Sequence, residues 1–222
     1  MKKSIIIAID GPAGSGKGTI AKELEKKLGL LNIDTGAMYR CVALYVLENN
    51  IDINNKEKIE EISKKLNIEL INDKVYLNGE DVTEKIRSNE VSNIVSPISN
   101  YIGVRESMLK LQRDYAEEKS VVMEGRDITT VVFPNADFKF YLDASLEERA
   151  RRRFLQNKQN NISTSYEEVL ENIKKRDYND LHKPVGALKR SKDAVYIDST
   201  NKSIEEVVNI ILENINRKES VE

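Results

Sequence analysis

The sequence has one cysteine, Cys41, one histidine, His182, and no tryptophan in 222 residues. A lone thiol cannot close an internal disulfide, which suits a reducing compartment. One histidine and one cysteine also give no cluster from which a protein-ligated metal site is built. Cys41 lies in the apolar stretch 38–47 and reads as a buried structural thiol, while His182 reads as a solvated surface side chain. No apolar run approaches the ~20 residues that span a bilayer. Charge of one sign is missing too: 35 basic against 37 acidic residues leave a net −2, so no global field draws the chain to nucleic acid or membrane. Met1-Lys2-Lys3 runs almost at once into an apolar strand. Cleavage of a signal peptide would therefore remove the motif that follows, and a cytoplasmic location is expected.

What is present is a glycine-rich turn in a telling context. Gly11-Pro12-Ala13-Gly14-Ser15-Gly16-Lys17-Gly18 follows the apolar run Ile5–Ile9 and precedes Ile20, Leu24 and Leu28 at helical spacing. Strand, glycine turn and helix together form the setting in which G-x-x-x-x-G-K cradles phosphate. Glycines let successive N–H groups point into one concavity, and the helix adds its free donors and the positive end of its dipole. Lys17 then reaches the β- and γ-phosphates. Gly18 stands where Ser or Thr commonly binds Mg²⁺, with Thr19 next, so the metal is expected through water and the phosphates near Thr19 rather than by direct ligation. The Gly-Lys-Gly-Thr ending resembles the nucleoside monophosphate kinases. The base-reading motif of GTPases is missing, since Asn157-Lys158-Gln159-Asn160 lacks its aspartate.

Five short apolar segments read as buried parallel strands: Ile5–Ile9, Leu30–Ile33, Val121–Met123, Phe138–Leu142 and Ala194–Ile197. Helical patterns alternate with them. Val104, Met108, Leu111 and Tyr115 share one face, as do Ile204, Val207, Val208, Ile211, Leu212 and Ile215. The expected fold is α/β, a doubly wound parallel sheet of the P-loop NTPase type. Two stretches lie outside that core. Ile68–Ile71 and Val75–Leu77, with polar turns at 72–74 and 78–81, read as an inserted antiparallel hairpin. Residues 148–190 are dense in charge, with Arg149, Arg151, Arg152 and Arg153, then Lys174, Lys175 and Arg176. Two helices joined by the polar linker 157–165 would carry little core and could serve as a lid. Its arginines fit a solvated face or a nucleic-acid patch, but beside Lys17 a phosphate clamp is favoured for some of them.

Two further motifs sit past strand ends, where open parallel sheets bind ligands. In Asp34-Thr35-Gly36-Ala37-Met38-Tyr39-Arg40, Asp34 or Thr35 could cap a helix, and Arg40, about a turn on, could meet a monophosphate. In Glu124-Gly125-Arg126-Asp127, the Arg and Asp could be site residues or an internal ion pair.

Together these segments resemble the bacterial-type cytidylate kinases nearly end to end. Gly11–Thr19 is similar to that family's ATP loop, and Asp34–Arg40 to its Asp-Ser/Thr-Gly-Ala-x-Tyr-Arg signature. Gly125–Asp127 with Thr130–Pro134 resembles its Gly-Arg-Asp-x-Gly-Thr-Val-Val-x-Pro segment, and Arg176–Asp180 its Arg-Asp-x-x-Asp lid motif. Asp193-Ala194 and Ile197–Thr200 resemble its last core strand. The resemblance implies transfer of the ATP γ-phosphoryl group to CMP or dCMP, with ATP and Mg²⁺ as cofactors. It implies that Ser96, Arg105 and Asp127 read the cytosine, that Thr35 stands near the acceptor, and that Arg40 and Arg126 hold its phosphate. Arg176 and Asp180 would meet the sugar. Lys17, Arg126 and Arg176 are the catalytic candidates, with Gly11, Pro12, Ala13, Gly14, Ser15, Gly16, Lys17, Gly18 and Thr19 lining the ATP site.

The resemblance further implies one kinase unit. Its core would be about 1–35, 86–145 and 190–222, with an acceptor-binding insertion at about 36–85 and a lid at about 146–189. Partners are expected to be the small-molecule substrates alone, and the chain a monomer. A kinase of another acceptor such as UMP, AMP or shikimate, or a non-catalytic RNA-binding module, stays open on the residues. Three positions depart from the family pattern. Lys183 replaces an Arg and keeps charge but loses the bidentate fork; it is retained as a substrate-binding candidate. Thr129 replaces a Gly and would be strained if the turn needs positive φ. Ala187 stands where Pro is common.

Overall fold

The computed structural model describes residues 4–71, 73–117, 119–159 and 162–219. Asn72 of the expected hairpin turn and residues 160 and 161 of the expected linker lie outside them, as do Met1–Lys3. The chain divides into two compact units, residues 1–32 with 118–222, and residues 33–117.

The first unit is built on a five-stranded sheet. Its strands are β1 (Ile6–Asp10), β2 (Leu31–Asp34), which carries the chain into the second unit, β6 (Val121–Gly125), β7 (Phe138–Asp143) and β8 (Val195–Asp198), in the order β2-β6-β1-β7-β8. The β1–β6, β1–β7 and β7–β8 pairs are parallel, and β1 lies at the centre. Central position explains the unbroken apolar run of β1: Ile7, Ala8 and Ile9 are buried on both faces. Helix α1 (Lys17–Leu28) and the C-terminal helix α8 (Ile204–Glu219) cover the sheet, placing Ile20, Leu24, Val207, Val208, Ile211 and Ile215 in one cluster with Ile7, Ile9, Phe140 and Leu142. The helical spacing overreaches at two ends. Leu28 is 39% and Ile204 51% exposed, because each stands on a terminal turn beyond the sheet's cover. Gly29 stops α1 in the left-handed region at φ 67°, its N–H bonded to the Glu25 carbonyl at 2.8 Å.

Helices α6 (Leu146–Gln159) and α7 (Tyr166–His182) form the expected charged helix pair. Their shared core is small: Ala150, Val169 and Ile173 are buried, with Leu146, Phe154, Tyr166 and Leu170 around them. A capping box, Ser165 with Glu168, starts α7.

The second unit holds α2 (Thr35–Glu48), α3 (Lys56–Ser63), α4 (Asn89–Ile98), α5 (Ile102–Ala116) and a small antiparallel sheet. Strands β3 (Ile68–Ile71) and β4 (Lys74–Leu77) are the hairpin expected from the pattern. A third strand, β5 (Glu80–Asp81), pairs with Leu77 and Tyr76, where the sequence read only as a turn. Asn78 and Gly79 at positive φ make the tight reversal that brings β5 back. Cys41 is fully buried here and burial pushes its thiol up to about 12, as a structural cysteine requires.

Two glycines separate backbone freedom from close approach. A Cβ on Gly11 would lie 2.0 Å from the Leu142 carbonyl oxygen, whereas one on Gly29 meets nothing within 4 Å. Urea unfolding is expected to show Gly29→Ala losing about 1 kcal/mol, the cost of a left-handed alanine. Gly11→Ala is expected to lose more than about 3 kcal/mol, since strand backbone must move.

Candidate active site around the phosphate loop

The loop between β1 and α1 curls through Gly14 at φ 79° and Gly16 at φ 97°. Gly16 is the N-cap of α1, and no side chain caps it, so the first N–H groups of the helix remain for an anion. Lys17 is buried, its Nζ donating to the Pro12 carbonyl at 2.8 Å and lying 3.4 Å from Ser15 Oγ. Burial, with help from the Arg126 and Arg176 charges, lowers the Lys17 ammonium to about 7, against the opposing pull of Glu124 and Asp10. A side chain at Gly18 would come within 3.3 Å of Glu124 Oε1, so the position after Lys17 faces a carboxylate. Thr19 is exposed. Among the described residues no group of three or more His, Cys, Asp or Glu stands where it could hold a metal.

The arginines of α6 divide in two. Arg149 is buried and donates to the Ala144 carbonyl at 3.0 Å, the Ala13 carbonyl at 3.1 Å and Asp177 at 2.6 Å. Arg152 donates to the Ser15 carbonyl at 3.3 Å and to Ser199 Oγ and its carbonyl at 3.0 and 2.7 Å. Both brace the loop from behind through its carbonyls. Arg151 makes a bidentate pair with Glu148, and Arg153 donates to Gln156, each within α6. The clamp expected of this run is thus, for Arg149 and Arg152, a hold on loop backbone.

Arg126 and Asp127 do not pair with each other as the sequence allowed. Arg126 Nε donates to Asp180 Oδ2 on α7 at 2.7 Å, joining the end of β6 to the helix pair. Lys183 lies 3.2 Å from the other oxygen of Asp180. Burial works to raise the Asp180 carboxyl, but Arg126, Lys183 and Arg176 outweigh it and hold it at about 2. Arg176 is exposed on α7, close enough for its charge to act on both Lys17 and Asp180. Asp127 is buried at the start of a π-helical turn, Ile128–Val132, whose Val131 and Val132 N–H groups bond its carbonyl. So Arg126, Asp180, Lys183 and Arg176 bear on one another, and the Arg126 and Arg176 charges reach Lys17.

In the second unit, Asp34 caps α2 by accepting from Ala37 N at 3.0 Å, and Thr35 is buried in the first turn. Arg40 Nη1 donates to the Ile86 carbonyl at 3.1 Å and to Ser92 Oγ at 2.9 Å, tying α2 to the 3-10 turn Lys85–Arg87 and to α4. Ser96 is half-buried on α4, its carbonyl taken by Ser99 Oγ at 2.9 Å. Arg105 is half-buried in the first turn of α5.

A family model described as cytidylate kinase matches residues 7–217. The chain belongs to the cytidylate kinase family. It is 51% identical over 215 residues to a cytidylate kinase of Caldicellulosiruptor bescii, covering 95% of each chain. It is 46% identical over 222 residues to the cytidylate kinase of Bacillus subtilis, covering 98% of this chain and 99% of that one. Solved structures with the same fold include an uncharacterized protein from Eubacterium ventriosum, with TM-score 0.53 and 15% identity over 96% of this chain and 99% of that one. Another is TT1252 from Thermus thermophilus, with TM-score 0.50 and 21% identity over 98% of both.

Within this cytidylate kinase family member, sequence reasoning missed Asp10. It is fully buried at the end of β1 and accepts from the N–H groups of Ile128 and Thr129, both at 2.8 Å, and from Thr129 Oγ1 at 2.5 Å. An aspartate closing an apolar strand just before the glycine loop was the available signal. The strain foreseen at Thr129 is not found: its φ is not positive, and its hydroxyl gains a partner. His182 is exposed and stacks on Tyr178, as a surface residue. No helix among the described residues is long and apolar enough to cross a membrane.

The Arg126–Asp180 pair has a pH signature. The Asp180 carboxyl is depressed, so its contribution is present above the unfolded value near 4 and is lost as pH falls toward about 2. Asp180→Asn is expected to lose about 3 kcal/mol at pH 7, because a buried pair is broken one-sidedly. In unfolding titrations that deficit should shrink steadily from about pH 4 to 2; a deficit constant over this range would show that the pair does not form.

Proposed function

We propose that the chain transfers the γ-phosphoryl group of ATP to CMP and dCMP, giving CDP and dCDP. The observation that carries this is the phosphate loop with its buried Lys17 beside Arg126, in a chain whose residues 7–217 match the cytidylate kinase family. The loop suits a polyphosphate: its glycine-shaped concavity, uncapped helix start and buried ammonium all favour anion oxygens. Among the described residues no three His, Cys, Asp or Glu side chains group as metal ligands, so Mg²⁺ would be carried on the phosphates with water and would neutralise phosphate charge there.

The chain's own residues then do the rest. Gly11 to Thr19 position the donor through backbone N–H groups, and Lys17 places its ammonium on the β- and γ-phosphates. Arg126 and Arg176 supply positive charge where the transferred group spreads negative charge over its oxygens. Thr35 is assigned to the acceptor, Arg40 and Arg126 to its phosphate, Ser96, Arg105 and Asp127 to cytosine, and Arg176 with Asp180 to the sugar, with Lys183 as a further substrate-binding residue. A carboxylate such as Asp127 accepts from the cytosine amino group, and a guanidinium such as Arg105 donates to its carbonyl and ring nitrogen. No protein nucleophile is needed, because an acceptor phosphate oxygen attacks in line. The α6–α7 pair, with its small shared core, serves as a lid that excludes water during transfer. Net charge and the lone buried thiol suit a cytoplasmic monomer whose partners are these small molecules.

Initial rates of ADP release with CMP, dCMP, UMP and AMP test the reading directly; CMP and dCMP should stimulate most. Lys17→Ala should lower turnover by orders of magnitude with the fold intact by circular dichroism. Because free Lys17 titrates near 7, phosphate binding should re-protonate it. Calorimetry in buffers of different ionisation enthalpy should then show proton uptake on ATP binding above pH 7, with affinity falling as pH rises, and Lys17→Ala should abolish the uptake. Asp127→Ala should raise KM for CMP about tenfold or more, the scale of a lost charged hydrogen bond. Its ATP affinity should stay near that of the parent, and an equal loss of ATP affinity would refute the base-reading role.

A further inference from the structure

Asp10 and Thr129 form a buried device that the phosphate-binding reading does not use. The Asp10 carboxylate lies at the end of the central strand, between Gly125 of β6 and Tyr141 of β7 in register. It faces no solvent, and Ile128 N, Thr129 N and Thr129 Oγ1 are its donors. Those donors all belong to the first two residues of the π-helical turn. Asp127 stands immediately before that turn. The turn is held by its own bonding to the Asp127 carbonyl on one side and by the Asp10 carboxylate on the other.

We propose that the Thr129 hydroxyl is a positioning group for the acceptor site. By donating to Asp10 it fixes the Ile128–Val132 turn, and that turn sets the direction of the Asp127 carboxylate and the Arg126 guanidinium. The inference rests on the proposed reading of Asp127 and Arg126 as acceptor-binding residues. A glycine could bond Asp10 only through its N–H, whereas threonine adds an O–H to the same carboxylate oxygen.

The logic is one of ionisation. An ionised Asp10 only accepts, so all of these donors are matched, whereas a protonated Asp10 carries an O–H that must find an acceptor among groups that are themselves donating to it. Burial favours the proton, and the Thr129 and Ile128 donors oppose it. The charged groups that bear on the pair are Asp127 beside it, Lys17 on α1, Arg126 after β6, Glu124 acting on Lys17, and the Tyr141 phenol on β7. The Asp127 charge also favours the proton on Asp10, so losing the hydroxyl leaves the balance exposed.

The test measures kcat and KM for CMP across pH 5–9 in Thr129→Val, Thr129→Ala and Thr129→Ser, with ATP affinity by equilibrium titration. Val and Ala are expected to raise KM for CMP about tenfold at the acid end of the range. The acidic limb of their kcat/KM profile should move to higher pH, so that the deficit fades as pH rises. Ser, which keeps the hydroxyl, should stay within about twofold of the parent chain, and ATP affinity should be unchanged in all. Profiles superimposable on the parent's, or a loss equal at every pH, overturn the proposal. It also falls if Val and Ala fail to fold while Ser is normal, since the role is then structural. If Asp127→Ala leaves KM for CMP unchanged, the underlying reading fails instead; an effect at Asp127 with silence at Thr129 removes this inference alone.

Discussion

A buried ammonium at the mouth of a glycine loop is costly unless its surroundings are charged to match, and the rest of the first unit is arranged around that requirement. Lys17 is held at the Pro12 carbonyl with Arg126 close by, so positive charge is concentrated before any anion arrives. Carboxylates balance it from three directions: Asp10 on the central strand, Glu124 on β6 and Asp180 on α7. The balance is partial. Lys17 titrates near 7, so it carries charge only in part until a polyphosphate arrives to hold its proton.

The same constraint explains the uneven use of arginine. On α6, Arg149 and Arg152 donate to the carbonyls of Ala13 and Ser15, on the loop's outer side. Loop N–H groups can converge on an anion only if their carbonyls point away, and those carbonyls then need donors of their own. The two arginines supply them, and Arg149 carries the link onward to Asp177 on α7. Arg126 with Asp180 makes a second tie from sheet to helix pair. Polar ties thus run from the loop and the end of β6 to the helix pair, whose own shared apolar core is small. The lid movement proposed for this helix pair would have to break or carry these polar ties.

Much of this was legible in the chain, for identifiable reasons. The strands could be read because central parallel strands are apolar throughout, and the phosphate loop because its glycines stand between a strand and a helix at fixed spacing. The hairpin of β3 and β4 followed from alternation, but β5 did not, since Glu80 and Asp81 are polar and pair through backbone alone. The partner of Arg126 could not be read either. Asp127 was adjacent and plausible, yet the guanidinium reaches Asp180, 54 positions away. The Thr129 strain inferred from a residue type vanished because the turn is a wide π turn that does not place it at positive φ.

By itself the sequence determined the local pieces: which segments are strands and helices, where the anion-binding turn lies, and which family's motifs the chain carries in order. These depend on neighbours within a few residues, and periodicity and glycine placement record them directly. Only the tertiary structure decided how the charges are shared: that Asp10 serves the Ile128–Val132 turn, that Asp180 takes Arg126, and that Arg149 and Arg152 serve the loop from behind. Those pairings join residues from 54 to 137 positions apart. A carboxylate's partner is set by which donors the fold brings within 3 Å, and no pattern along the chain encodes that distance.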